Sequence, residues 1–206
     1  MGDVAGRSIA VFDLGGVLID WNPRYLYRKL FDGDEAAMER FLAEICNNDW
    51  NVQQDAGRPF AEACALLVER HPAQKHLIEA YHARWIEMLA GPIHGTVEIL
   101  RELRDRGTPL YALTNWSAET FPLARERYDF LHWFQATVVS GVEKLVKPDP
   151  RIYRLLLERH GIDPAASVYI DDNPANARVA TDLGLHGIHF TGPDALRDDL
   201  ERVGLL

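Results

Sequence analysis

Six residues whose side chains could take part in catalysis stand at, or shortly after, the ends of short apolar segments. They are three carboxylates, a hydroxyl, an amide and an ammonium: Asp13, Thr114, Asn115, Lys147, Asp171 and Asp172. A carboxylate can attack a phosphate ester and carry the phosphoryl group as a covalent intermediate. It faces a dianion, however, so nearby cations must neutralise the charge. The residue types therefore predict phosphoryl transfer to an aspartate that lies beside a lysine and a divalent cation.

The roles of these residues follow from their donor and acceptor groups. Asp13 and Asp172 offer the hard oxygen ligands that Mg²⁺ prefers. Lys147 should neutralise phosphoryl oxygens and hold Asp13 ionised, and the Thr114 hydroxyl should donate a hydrogen bond to the phosphate. Adjacent carboxylates such as Asp171 and Asp172 repel each other unless a cation lies near them. We therefore expect Mg²⁺ as the cofactor.

Strand-like and helix-like segments alternate over most of the chain. Apolar, often β-branched runs predict strands at residues 8–14, 109–114, 136–140, 167–171 and, more weakly, 186–190. Amphipathic runs predict helices at about residues 95–106, 118–127, 149–160 and 175–183. This alternation is typical of a doubly wound α/β fold, in which helices cover both faces of a parallel sheet. The carboxyl ends of parallel strands share one edge, so the six residues should converge there.

The alternation stops between residues 21 and 90. Helix-period apolar residues occur at 36–45, 59–69 and 74–89, with no convincing strand between them. We therefore predict two units: an α/β core made of residues 1–20 and 91–206, and a helical cap made of residues 21–90.

The composition of the chain excludes several classes of protein. Its 206 residues carry a formal net charge of −9, which disfavours a nucleic-acid partner because phosphates would be repelled. The first apolar run is short and ends in glycines, unlike a signal peptide or a membrane span. Cys46 and Cys64 lack the spacing of metal ligands and should be reduced core thiols. We expect a cytoplasmic protein without a membrane partner, and the sequence leaves monomer and homodimer open.

Four motifs of the chain resemble, in order, those of the haloacid dehalogenase superfamily. They are FDLGGVLID, LTNWS, KPDPRIYRLLLERHGI and VYIDDNPANARVA. The helical insertion lies where that superfamily places its type-1 cap. The resemblance implies a Rossmann-like core with Asp13 as nucleophile and Thr114 and Lys147 as phosphate-binding residues. It also implies a metal site made of Asp13, Asp172 and the backbone carbonyl of Gly15, with Asp171 and Asn173 behind these ligands.

One position departs from the pattern of this superfamily's phosphatases. They carry a second Asp two residues after the nucleophile, which protonates the leaving alcohol, and this chain has Gly15 there. General acid–base catalysis contributes roughly 10²–10⁴-fold to a rate. The missing group could be replaced by Asp20, by a cap side chain or by a metal-bound water. A sugar 1-phosphate would need less help, and a subgroup similar to α-D-glucose-1-phosphate phosphatases shares the DLG motif.

Two other functions stay open. Metal-independent 2-haloacid dehalogenases also lack the second Asp, because halide leaves without a proton, and they would use Asp13 through an aspartyl ester. They resemble Ser-Ser-Asn where this chain has Asp171, Asp172 and Asn173. Burying these carboxylates without a cation would cost on the order of several kcal/mol, which favours the phosphatase. The third hypothesis is a catalytically weak binding or regulatory protein.

The substrate should be a small phosphate ester, with a sugar phosphate preferred. The cap's polar segment at residues 47–55 is predicted as a loop between two helices that dips toward the site. Tryptophan faces can stack on sugar rings, and amides can bind hydroxyl groups. The candidate substrate-binding residues are Asn115, Trp116, Trp50 and Trp21.

Overall fold

Seven strands form two sheets in the computed structural model of the protein, which describes residues 7–206. In chain order the strands are β1 (Ile9–Phe12), β2 (Ile19–Trp21), β3 (Leu89–Pro92), β4 (Leu110–Thr114), β5 (Ala136–Val139), β6 (Ser167–Asp171) and β7 (His186–His189). The larger sheet has the order β5-β4-β1-β6-β7, and all its neighbours pair in parallel. The five predicted core strands and the parallel sheet are confirmed.

Eleven α-helices in residues 7–206 surround the strands. In chain order they are α1 (Arg24–Leu30), α2 (Glu35–Glu44), α3 (Asn48–Asp55), α4 (Phe60–Arg70), α5 (Lys75–Ala83), α6 (His94–Asp105), α7 (Phe121–Arg127), α8 (Ser140–Glu143), α9 (Pro150–His160), α10 (Pro174–Asp182) and α11 (Pro193–Arg202). Short 3₁₀ turns occupy Pro72–Gln74, Trp85–Met88, Asp129–His132 and Pro164–Ala166.

Helices cover both faces of the central strand β1. Successive side chains of a strand point to opposite faces, and accordingly Phe12 joins one apolar cluster while Val11 joins the other. Leu103 of α6 lies in the first cluster and Leu156 of α9 in the second. This arrangement confirms the predicted α/β fold and explains why the strands are apolar on both sides.

Helix α9 shows how the chain positions the residues before it. The Asp149 side chain caps the helix by accepting a hydrogen bond from the Arg151 backbone N–H. Pro150 occupies the first turn, where it removes no hydrogen bond that the helix needs. Gly161 ends the helix with a left-handed backbone, at φ 61°. The helix start therefore fixes the loop that carries Lys147.

Strands β2 and β3 are two short strands that the sequence patterns did not predict, and they flank the helical segment. They pair antiparallel at the two ends of that segment, with Asp20 opposite Gly91. The periodicity predicted a helix through residue 89, but α5 ends at Ala83 because a 3₁₀ turn and then Gly91 and Pro92 follow. Helices α1–α5 lie between the two strands, in the segment that we predicted as the cap, and the cap boundaries stay a prediction.

Residues 48–55 correct a second prediction, because they form helix α3 rather than a loop. The Asn47 side chain caps this helix by accepting a hydrogen bond from the Trp50 backbone N–H. Cys46 and Cys64 are buried and unpaired with each other, as predicted. Within residues 7–206, every helix is too short or too polar to cross a lipid bilayer.

Candidate active site

Asp13 lies just beyond the carboxyl end of β1, at the centre of the sheet edge. The residue is 7% exposed. Its Oδ1 accepts a hydrogen bond from the Leu14 backbone N–H at 2.7 Å, and its Oδ2 lies 3.0 Å from Lys147 Nζ. Lys147 Nζ also donates to the Asp171 carboxylate at 2.7 Å and to the Leu113 carbonyl at 3.0 Å. The sheet edge therefore brings together Asp13, Lys147 and Asp171, as the sequence predicts.

Asp171 is fully buried, and its oxygens are already occupied by donors. Oδ2 accepts from Lys147 Nζ and from the Tyr169 hydroxyl at 2.6 Å. Oδ1 accepts from the Asn173 backbone N–H and from Asn176 Nδ2. Such a carboxylate positions Lys147 and the loop that starts α10. The Asn173 side chain itself accepts from the Ala175 backbone N–H and caps α10.

A cluster of three carboxylates could hold a metal ion. Asp13, Asp171 and Asp172 each offer one oxygen, and these oxygens lie within 4.8 Å of one another. Asp172 is the exposed member of the three. Carboxylates at this spacing supply the hard oxygen ligands that Mg²⁺ binds, so the residues present fit the predicted cofactor. Because Asp171 is occupied by donors, Asp13 and Asp172 are the side chains best placed to be ligands.

Burial raises the pKa values of two carboxylates in this cluster. Burial raises the pKa of Asp13 to about 7, and the nearby ammonium of Lys147 opposes this rise without cancelling it. Burial and the charge of Asp171 also raise the pKa of Asp172. Burial alone would lower the pKa of Lys147, but Asp13 and Asp171 together raise it. Lys147 thus lowers the pKa of Asp13 in the predicted direction, and a bound divalent cation would lower it further.

Asn115 joins the loop after β4 to the loop that carries Lys147. Its Nδ2 donates to the Lys147 carbonyl at 3.0 Å, and its Oδ1 accepts from the Lys147 backbone N–H at 2.8 Å. These bonds make Asn115 a positioning residue for Lys147; it also borders the cleft, and its role in substrate binding stays a prediction. Thr114 ends β4, which pairs directly with β1, and is 1% exposed. Its contact with phosphate stays a prediction.

The sheet edge opens into a cleft of about 620 Å³ between the core and the helical segment. Its core wall includes Asp13, Gly15, Gly16, Asn115, Trp116, Ser117, Lys147, Asp172, Asn173 and Asn176. Its opposite wall includes Asn48, Asp49, Asn51, Val52, Asp55, Phe60 and Trp85. Four of the residues on the two walls are carboxylates, and within residues 7–206 the single cation among them is Lys147. The cleft therefore favours a cation cofactor and disfavours a substrate with further negative groups.

The three tryptophans predicted to bind substrate have different positions. Trp21 and Trp116 line the cleft. Trp50 does not, because its ring packs against Tyr81, at 4.9 Å between centroids, and against Phe60. Its indole Nε1 donates to the Ala63 carbonyl at 3.4 Å. The prediction for Trp50 is therefore corrected: it supports the interior of the helical segment.

Residues 47–55 are predicted to dip toward the site, but their sequence alone did not indicate which of them face the cleft. Asn48, Asn51 and Asp55 recur at helical spacing and share this face. Burial raises the pKa of Asp55 to about 7, partly offset by a backbone hydrogen bond with Ser117, and the charge of Asp13 raises it further. The spacing of the three polar residues would have indicated this face once a helix had been expected here.

Gly16 has a backbone that other residues would strain. Its φ is 75°, and a Cβ at this position would lie 2.2 Å from Asp172 Oδ2. Glycine therefore lets the chain after Asp13 pass directly against Asp172. At Gly15 the opposite holds, because a Cβ there would meet nothing within 4 Å. The space next to the nucleophile is open at the position where the family's phosphatases carry their acid.

A parallel sheet that presents an aspartate, a buried lysine and paired carboxylates at one edge, under a helical segment, is the arrangement expected of a hydrolase. The chain belongs to the haloacid dehalogenase-like hydrolase family, whose model matches residues 8–184. This confirms the resemblance seen in the four motifs.

Similar proteins include phosphatases of several kinds. The chain is 28% identical to a sesquiterpene phosphatase of Aspergillus oryzae over 185 residues, which cover 88% of this chain and 89% of that protein. It is 25% identical to a phosphorylated carbohydrates phosphatase of Thermotoga maritima over 182 residues, which cover 87% of this chain and 82% of that protein.

Solved structures share the fold over most of their length. A HAD family enzyme from Bacteroides thetaiotaomicron, in complex with magnesium and inorganic phosphate, is 26% identical with a TM-score of 0.67. The match covers 87% of this chain and 92% of that one. An L-2-haloacid dehalogenase is 22% identical with a TM-score of 0.64, over 88% of this chain and 85% of that one. The likeness to the dehalogenase concerns the fold alone.

Proposed function

We propose that the protein is a Mg²⁺-dependent phosphatase that hydrolyses a small phosphate monoester through an aspartyl-phosphate on Asp13. The observation that carries this proposal is the cluster of Asp13, Asp171 and Asp172 with oxygens within 4.8 Å, next to the buried ammonium of Lys147. Carboxylates so close together need a cation to be ionised at once. A dehalogenase would have no use for one.

Each residue of the site has a part in this reaction. Asp13 attacks phosphorus, and Lys147 and the backbone around Leu14 neutralise and orient the phosphoryl oxygens. Asp13, Asp172 and the Gly15 carbonyl would hold the metal, while Asp171 and Asn173 support the loop behind it. When bound, Mg²⁺ would neutralise charge on the phosphoryl group.

A sugar phosphate is the substrate class that we propose. Asn48 and Asn51 offer amides to hydroxyl groups, and Trp21 and Trp116 border the same space. The similarity to a phosphatase of phosphorylated carbohydrates supports this class. A substrate with a second anionic group is disfavoured, because Lys147 is already paired with two carboxylates. The buried free cysteines fit the cytoplasmic location predicted from the sequence.

A panel of sugar and nucleotide monophosphates, assayed with Mg²⁺ or with EDTA beside L-2-chloropropionate, tests the proposal. We expect phosphate release that needs Mg²⁺, favours sugar phosphates and disappears in Asp13→Asn. Chloride release that is insensitive to EDTA, without phosphate release, would instead make the protein a dehalogenase. Binding of phosphate esters without turnover would make it a regulatory protein.

A further inference from the structure

The position two residues after the nucleophile carries no proton donor for the leaving group, yet it leaves room for one. Gly15 has no side chain, and the space where its Cβ would lie is open over at least 4 Å. Asp20 does not fill this space: its Oδ2 accepts from the Tyr25 hydroxyl at 2.8 Å, and Asp20 does not border the cleft. A side chain that takes over this role would therefore lie on the opposite wall of the cleft.

Asp55, the last residue of α3, is the carboxylate of that wall whose orientation is fixed. Asn51 Nδ2 donates to Asp55 Oδ2 at 3.1 Å. The Tyr81 hydroxyl in turn donates to Asn51 Oδ1 at 2.9 Å, which settles which end of the amide faces Asp55. Tyr81 is 1% exposed. The chain of contacts from Tyr81 through Asn51 aims Asp55 into the same cleft as Asp13.

The helical segment is anchored to the core next to Asp55. Gly57 approaches the Gly141 carbonyl so closely that a Cβ on Gly57 would lie 3.0 Å from it. The Phe60 backbone N–H donates to Glu119 of the core at 2.8 Å, and His82 lies 3.5 Å from the same carboxylate. These contacts hold the end of α3 against the core, so Asp55 keeps a fixed place in the cleft that it shares with Asp13.

We infer that Asp55 is the general acid and base of this enzyme, acting from the cap in place of the residue that Gly15 lacks. This inference rests on the phosphatase function proposed above. In the first step, an Asp13 oxygen bonds to phosphorus, the bond from phosphorus to the leaving oxygen breaks, and that oxygen takes the proton of the Asp55 carboxyl. In the second step, the Asp55 carboxylate takes a proton from a water whose oxygen bonds to phosphorus. The bond from phosphorus to Asp13 then breaks, which restores both carboxyl groups and releases phosphate.

The surroundings of Asp55 keep its carboxyl able to exchange a proton near neutral pH. Its pKa of about 7 comes chiefly from burial, and a catalytic acid works best when its pKa lies near the operating pH. The titratable groups that share its surroundings are Asp13, Asp172 and Lys147 from the core and Asp49 and Tyr81 from the cap.

The assignment is tested by measuring how fast the Asp55→Asn variant reacts with phosphate esters that differ in their leaving group. An acid is needed for a sugar or alkyl phosphate, whereas a dinitrophenolate leaves without a proton. We expect Asp55→Asn to lose about 10²–10⁴-fold in the rate of phosphoenzyme formation with alkyl or sugar phosphates. With 2,4-dinitrophenyl phosphate that step should stay within about threefold of the wild type. Water attack would still lack its base, so one equivalent of dinitrophenolate should appear in a burst and the phosphoenzyme should accumulate.

A matched control is Glu62→Gln. Glu62 is an exposed carboxylate of α4 outside the cleft, and the change removes the same charge from the same segment. We expect it to behave as the wild type across the series. The burst also shows that Asp55→Asn is folded, because an unfolded protein cannot give one equivalent of product.

The possible failures are distinguishable. A wild-type protein that hydrolyses none of these esters with Mg²⁺ would refute the proposed function. An active wild type whose Asp55→Asn variant shows the same dependence on the leaving group would overturn only the assignment of Asp55. So would a variant that gives no burst although its circular dichroism spectrum and urea unfolding show that it is folded. If Asp20→Asn shows the steep dependence instead, the acid is Asp20 and the inference is wrong.

Discussion

The change in free energy of unfolding caused by Asp55→Asn should be more favourable at alkaline pH than at acid pH. Burial raises the pKa of Asp55 from 3.8 to about 7, so the folded protein keeps a proton that the unfolded chain releases. The stability that this proton contributes is complete below the unfolded pKa and is lost as the pH rises through about 7. Between about pH 5 and pH 8 the wild type should therefore lose about 2–3 kcal/mol relative to Asp55→Asn, since each pKa unit is worth about 1.4 kcal/mol. Asp55 borders the cleft and keeps some contact with water, so we expect the lower end of this range.

Urea unfolding in EDTA at the two pH values measures this difference. The change in free energy of unfolding caused by Asp55→Asn is taken at each pH, and the two changes are subtracted. Loss of the Asn51 contact is common to both conditions and cancels. In thermal unfolding the difference corresponds to a shift of about 4–12 °C for a chain of this size.

Glu62→Gln, which replaces an exposed carboxylate outside the cleft, serves as the control, and the difference between the two pH values should be larger for Asp55→Asn than for Glu62→Gln. The reasoning would be refuted if the change caused by Asp55→Asn differed between the two pH values by less than about 0.5 kcal/mol, or differed with the opposite sign. Burial would then not raise the pKa of Asp55. A pKa raised by several units would produce a larger difference, because each unit is worth about 1.4 kcal/mol.

Three further substitutions test the site and its cover. In urea unfolding with EDTA, Lys147→Met should lower the free energy of unfolding by about 3–5 kcal/mol, because Asp13 and Asp171 lose their buried partner. As a control in the same titration, Lys29→Met breaks an exposed pair with Glu87 and should lower it by less than about 1 kcal/mol. Gly16→Ala should weaken Mg²⁺ binding at least about tenfold in calorimetry, a range typical of changes beside a metal ligand, because its Cβ would lie 2.2 Å from Asp172 Oδ2. Gly107→Ala, with a similar φ of 79° and open space around the Cβ, should leave binding intact. Gly57→Ala should destabilise the protein by about 1–3 kcal/mol and more than Gly33→Ala, because only at Gly57 does the Cβ meet the core at the Gly141 carbonyl. If the two alanine variants within either pair, Gly16 with Gly107 or Gly57 with Gly33, had equal effects, the steric explanation for that pair would be wrong.

The core could be predicted from the sequence because its signals are local. The strands of a doubly wound sheet are buried on both faces, so β1 and β6 stand out as apolar runs. Parallel strands place their carboxyl ends at one edge, which brings Asp13 and Asp171 together without knowledge of side-chain contacts. The same reasoning located Lys147, although it could not foresee that burial outweighs the lysine's effect on the pKa of Asp13.

The cover of the site could not be predicted in the same way. Apolar periodicity did not predict helix α3 because the helix is polar along most of its length. The Asn47 cap and contacts with α4 and the core stabilise it instead. Without its helical phase, Trp50 could not be assigned to the interior or Asp55 to the cleft. Strands β2 and β3 are short and depend on a partner far along the chain, which no local pattern reveals.

Hydrolysis in H₂¹⁸O, followed by mass spectrometry of the released phosphate and of the peptide that contains Asp13, tests the aspartyl-phosphate most directly. Water attacks phosphorus in an aspartyl-phosphate, so we predict ¹⁸O in the phosphate, unlabelled Asp13 after many turnovers, and a phosphorylated Asp13 peptide in samples quenched during turnover with Mg²⁺. An aspartyl ester is instead cleaved at its carbonyl carbon. Label in the Asp13 carboxylate after turnover of a 2-haloacid, with no phosphorylated peptide from any phosphate ester, would contradict the phosphatase and establish the dehalogenase.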